Sequence, residues 1–128
     1  MAPEAVTRGI RVLVRSQFVP ERSSSEEGLY FFAYQVTIHN DGEQPVQLLS
    51  RHWVITDGMG RTEEVRGPGV VGEQPRLEPG EAFQYTSACP LPTQIGAMEG
   101  TYQMVTDEGE RFDCAIPVFS LAIPEALN

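Results

Sequence analysis

Residues 30–42 read Y-F-F-A-Y-Q-V-T-I-H-N-D-G, and this stretch decides the fold class. Tyr30, Phe32, Tyr34, Val36 and Ile38 alternate with Phe31, Ala33, Gln35, Thr37 and His39. An extended chain points successive side chains to opposite faces, so a period of two buries one face of a strand. The closing Asn40-Asp41-Gly42 supplies residues that tolerate positive φ and turn the chain.

The same period recurs on both sides of this stretch. Ile10, Val12 and Val14 share one parity; Leu49, Trp53 and Ile55 share another, together with Arg51. Phe83, Tyr85 and Ser87 follow, then Met98, Tyr102 and Met104, then Phe112, Cys114, Ile116 and Val118. Turn chemistry separates the runs at Asp57-Gly58 with Gly60, at Pro79-Gly80 and at Asp107–Gly109. The first and last of these lie between alternating runs and read as hairpins. No window of eleven or more residues keeps a helical period without a Pro or Gly. The reading is an all-β, antiparallel β-sandwich of fibronectin-III or immunoglobulin type with seven to eight strands and Trp53 on the third. A single domain over residues 1–128 follows, with flexible ends at 1–8 and 125–128 and a mobile loop at Ser23–Glu27.

Charge narrows the function classes. Eighteen acids face nine bases, for a net charge of −9, and every base is an arginine. A duplex-binding surface clusters Lys and Arg to neutralise phosphates, so nucleic acid is not the expected partner. The longest apolar run, Leu29–Tyr34, is far short of the ~20 residues that a membrane helix needs. The start, M-A-P-E-A-V-T-R-G, lacks an apolar block behind a basic segment, which places the expected location in the cytoplasm. Cys89 and Cys114 then read as reduced thiols.

One motif calls for chemistry. Residues 66–75, R-G-P-G-V-V-G-E-Q-P, contain G-x-G-x-x-G at Gly67, Gly69 and Gly72. In a dinucleotide fold a helix must follow, because its N-terminal N–H groups hold the pyrophosphate. Pro75 and Pro79 forbid that helix, and no acid occurs in Ser87–Leu91, where the ribose ligand belongs. Without a lysine the chain has no Walker loop either. What remains is a backbone nest over Gly67, Gly69, Val70, Val71 and Gly72, flanked by Arg66 and Arg76, for phosphate or pyrophosphate. The structural account of the same glycines is a strand crossing.

Other candidates are weaker. His39 and His52, on different strands, meet across a ladder only if the strands are neighbours, and no carboxylate within either strand completes a metal site. Cys89 has no charged neighbour and reads as structural. Neither a G-x-S-x-G elbow nor a carboxylate pair is present, so no enzyme activity, cofactor or metal is expected.

Residues 36–42 (V-T-I-H-N-D-G), 46–60 (V-Q-L-L-S-R-H-W-V-I-T-D-G-M-G), 64–75 (E-V-R-G-P-G-V-V-G-E-Q-P), 77–87 (L-E-P-G-E-A-F-Q-Y-T-S) and 98–104 (M-E-G-T-Y-Q-M) resemble the bacterial ApaG family, also called CorD. The chain departs from that family's pattern at Ala88 and Gln94, both expected in the loop after the fifth strand. The resemblance implies a fibronectin-III-like sandwich without established catalytic residues, linked to cobalt resistance and magnesium homeostasis. Similar eukaryotic domains imply a protein-binding role. The expectation is an interaction or regulatory domain acting on a protein partner through its sheet edges and the Gly67–Gly72 loop, with homodimerisation through the edges as a further expectation.

Overall fold

The computed structural model describes residues 2–127. Its strands are β1 (Glu4–Thr7), β2 (Ile10–Phe18), β3 (Tyr30–Asn40), β4 (Val46–Asp57), β5 (Thr62–Pro68), β6 (Arg76–Leu77), β7 (Ala82–Leu91), β8 (Ile95–Thr106) and β9 (Arg111–Ala122). One antiparallel sheet has the order β1-β2-β3-β7; the other has β5-β4-β8-β9, with β6 also on β4. The alternating residues close the space between them: Val12, Phe32, Val36, Ile38 and Tyr102 are fully buried.

The strand number exceeds the expected seven to eight because β1 and β6 are only four and two residues long. Neither is long enough to display a period, and β1 moves Trp53 from the expected third strand to the fourth. The expectation of a flexible end over 1–8 fails at β1, which pairs with β2 from Glu4↔Leu13 to Thr7↔Ile10. At the other end Pro124–Leu127 forms a 3-10 turn, with Ile123 buried beside it; residue 128 lies outside the described residues. The Ser23–Glu27 segment is tied at its base: Ser23 Oγ donates to the Val19 carbonyl and accepts from Phe31 N–H, each at 2.8 Å, and Ser24 and Leu29 exchange backbone hydrogen bonds at 2.8 Å.

Two bulges change parity inside strands. Leu49 is the extra residue on β4, since Leu48 pairs with Met104 but Ser50 with Gln103. Val46 and Leu48 therefore join Trp53 in the core. On β9, Pro117 and Val118 together oppose Glu99. That extra residue turns Val118 outward, 60% exposed, and brings Phe119 inward instead.

Candidate functional site

The two long sides of the sandwich differ. On one side β1 and β2 lie against β9, and side chains close the gap. Thr7 Oγ1 accepts from Ala115 N–H at 3.0 Å, Ser16 Oγ donates to the Ser120 carbonyl at 2.8 Å, and Arg8 pairs with Glu110 at 2.7 Å. On the other side the outer edges of β5 and β7 have no strand partner among the described residues.

A groove of about 370 Å³ opens between β5 and β7. Its walls are Glu63 and Val65 of β5 and Ser87, Ala88, Cys89 and Pro90 of β7. Its floor is Tyr34, Trp53, Ile55 and Met98, with Arg51 at one end. Trp53 meets Tyr34 edge-on at 5.4 Å and Phe119 at 5.9 Å, so the floor is rigid. Ala88, expected in a loop, is within β7 opposite Ala33.

The groove holds one charge of each sign, Arg51 and Glu63. Burial raises the Tyr34 phenol, with Ser87 bonding and the Arg51 charge acting in the opposite direction. Burial, then the charge of Glu63, pushes the Cys89 thiol up to about 11. At neutral pH Cys89 is therefore a neutral thiol rather than a nucleophilic thiolate.

Arg51 also explains the glycine motif. Its Nη1 donates to the carbonyls of Pro68 and Gly69 at 3.0 and 2.9 Å, and the guanidinium lies across β5 at Gly67, its register partner. A Cβ on Gly67 would sit 3.0 Å from Nη2. Gly69 has φ +59, and a Cβ there would come within 2.2 Å of the Glu73 carbonyl oxygen. Val70 is buried and exchanges backbone hydrogen bonds with Glu73 at 2.8 and 2.9 Å. Between them Val71 (φ 43) and Gly72 (φ 82) form the tip of a two-residue hairpin turn.

Part of the expected nest is therefore used by the fold itself. Gly69 N–H donates to the Leu49 carbonyl, Val70 N–H to Glu73, and Glu73 N–H to Val70. Arg66 is 3.7 Å from Glu64, and Arg76 pairs with both Asp107 and Glu78. The chain after Gly72 runs extended into β6, without the helix that a dinucleotide site requires.

The idea that His39 and His52 meet across a ladder is corrected. His39 is on the outer face of β3 and His52 on the outer face of β4, in different sheets, with the core between them. His52 instead bonds Glu64 at 2.7 Å. Among the described residues, no three His, Cys, Asp or Glu side chains gather as a metal site. No helix among them is long and apolar enough to cross a membrane. Sequence reasoning missed the groove and Arg51. The one available signal was an arginine sharing the inward parity of Trp53.

The fold and the groove define a class: a two-sheet β-sandwich, closed along one side and open between two unpaired edges on the other. The chain belongs to the ApaG domain family, whose model matches residues 20–106. It is 60% identical over 121 residues to Protein ApaG of Afipia carboxidovorans, covering 94% of this chain and 93% of that one. It is 58% identical over 125 residues to Protein ApaG of Caulobacter vibrioides, covering 98% and 89%. A crystal structure of a Bordetella pertussis protein termed ApaA superposes with a TM-score of 0.87 at 52% identity, covering 96% of this chain and 97% of that one.

Proposed function

We propose that this protein is a non-enzymatic interaction domain that receives an extended segment of a partner protein along β7. The observation that carries the reading is β7 itself. It is ten residues long, A-F-Q-Y-T-S-A-C-P-L, without a single charge, and its outer edge is unpaired. Soluble proteins blunt such edges with charges, prolines or short length; here only Pro90 does so. An added strand gains main-chain hydrogen bonds, and its alternate side chains point into the groove beside Trp53. The link to cobalt resistance and magnesium homeostasis implied by the family resemblance then runs through the partner rather than through metal held by this chain. Phosphate binding at the loop is the less favoured reading, since the N–H groups of Gly69 and Val70 and the Arg76 guanidinium already have protein acceptors.

The test places lysines on exposed edge positions. Thr86→Lys with Ala88→Lys should leave the melting temperature unchanged and reduce partner capture from the parent cell extract at least tenfold. Full capture by this variant would overturn the strand-addition reading. In the same preparation, pyrophosphate at millimolar concentration should leave the amide resonances of Gly67–Gly72 in place. A selective shift there would restore the phosphate reading.

A further inference from the structure

The tip of the glycine loop carries an anomaly that the monomer does not explain. Val71 has φ 43, in the left-handed region, where a β-branched side chain is strained. Turns of this type favour Asn or Asp followed by Gly, and Gly72 at φ 82 meets the second requirement. Val71 does not meet the first. Nor does its side chain compensate by burial, being 55% exposed while its neighbour Val70 is 1% exposed and plugs the core. The strain and the exposed apolar surface both work against the isolated fold, and an asparagine would remove both.

The platform beneath the tip is braced. Arg51 holds the carbonyls of Pro68 and Gly69, and Gln74 Nε2 donates to the Leu49 carbonyl at 2.8 Å. Gln47 Nε2 in turn donates to the Gln74 carbonyl at 3.1 Å. A rigid turn holding one apolar side chain outward is the geometry of an interface anchor, which loses little entropy on binding.

We propose that Val71 is such an anchor and that it enters a small apolar pocket with a basic rim on the partner protein. The basic rim follows from charge: Glu73, two residues on, is exposed without an ion-pair partner among the described residues, and the chain carries −9 overall. That charge also argues against a second copy as the occupant, because two such surfaces repel. The inference rests on the interaction reading above and adds a second contact on the same β4 edge that carries β5 and β6.

The experiment compares wild type with Val71→Asn and with Val118→Asn, which alters another exposed valine on β9. Capture from parent cell extract is read at low and at physiological salt, beside thermal melting. Val71→Asn should melt at or above the wild-type temperature and retain at most a tenth of a bound protein that Val118→Asn holds fully. Wild-type binding should weaken as salt rises. The proposal is overturned if Val71→Asn melts below wild type, which would make the valine a folding residue. It is equally overturned if that variant captures every protein the wild type does, or if no captured protein distinguishes the two valines. Loss with the Thr86/Ala88 lysine variant but not with Val71→Asn would leave strand addition standing and remove the anchor alone. Self-association of wild type at micromolar concentration, abolished by Val71→Asn, would replace the proposed partner with a second copy.

Discussion

Gly69 is required by its turn for two separate reasons. Its φ of +59 is strained for any residue with a Cβ, at about 1–2 kcal/mol. A Cβ there would also lie 2.2 Å from the Glu73 carbonyl oxygen, an overlap that adds about 1–3 kcal/mol as the turn shifts. Gly72 shares the positive φ, at +82, but has open space around it. Urea unfolding should therefore show Gly69→Ala destabilised by at least about 2 kcal/mol and Gly72→Ala by only about 1 kcal/mol. Equal losses at the two positions would remove the Glu73 contact from the explanation. At this scale the motif is a device for folding: each glycine answers to a neighbour, one to Arg51, one to Glu73 and one to the turn.

Between elements, the two sheets are joined in the core by a hydroxyl pair. Tyr85 of β7 and Tyr102 of β8 hydrogen-bond through their phenol oxygens, and both are buried. Removing one hydroxyl leaves the other in the core without this partner, at about 1–3 kcal/mol, whereas removing both relieves that penalty. Tyr102→Phe should thus be destabilising by about 1–3 kcal/mol, and adding Tyr85→Phe should recover part of the loss in chemical denaturation. Strictly additive losses would show that the two hydroxyls act independently. The bulges at Leu49 and Val118 belong to the same scale. Each lets a strand change its inward parity, so that Trp53 and Phe119, two strands apart in one sheet, meet on its core face.

At the scale of the whole molecule, stability responds to alkaline pH. Burial pushes the Cys114 thiol up to about 12 and the Cys89 thiol up to about 11, and raises the phenols of Tyr85, Tyr102 and Tyr34. The unfolded chain releases these protons at lower pH, with thiols near 9 and phenols near 10. Above pH 9 the folded state therefore binds more protons than the unfolded one, and stability falls as pH rises. These groups contribute fully below about pH 9 and lose that contribution through pH 9–12. Melting temperatures should be level from about pH 7 to 8.5 and drop between about pH 9 and 11, with a smaller drop for Cys114→Ala. A level profile to about pH 11 would contradict burial of these groups.

The alternation from Tyr30 to Ile38, repeated through Met104, was enough to establish two packed sheets, because side-chain direction in a strand is a local property of the backbone. The hairpin turns at Asp57–Gly60 and Asp107–Gly109 were legible for the same reason, as was the absence of a helix after Gly72. Short strands such as β1 and β6 were not, since four and two residues display no period. The bulges at Leu49 and Val118 were hidden because an extra residue is defined only by what it pairs with. The groove and the bracing role of Arg51 depend on which strands end up at the edges, and that is decided by how residues dozens apart in the chain pair. The strain at Val71 is likewise a tertiary fact. Local sequence there reads Val-Gly, and only the closing bridge from Val70 to Glu73 forces the valine into a left-handed turn.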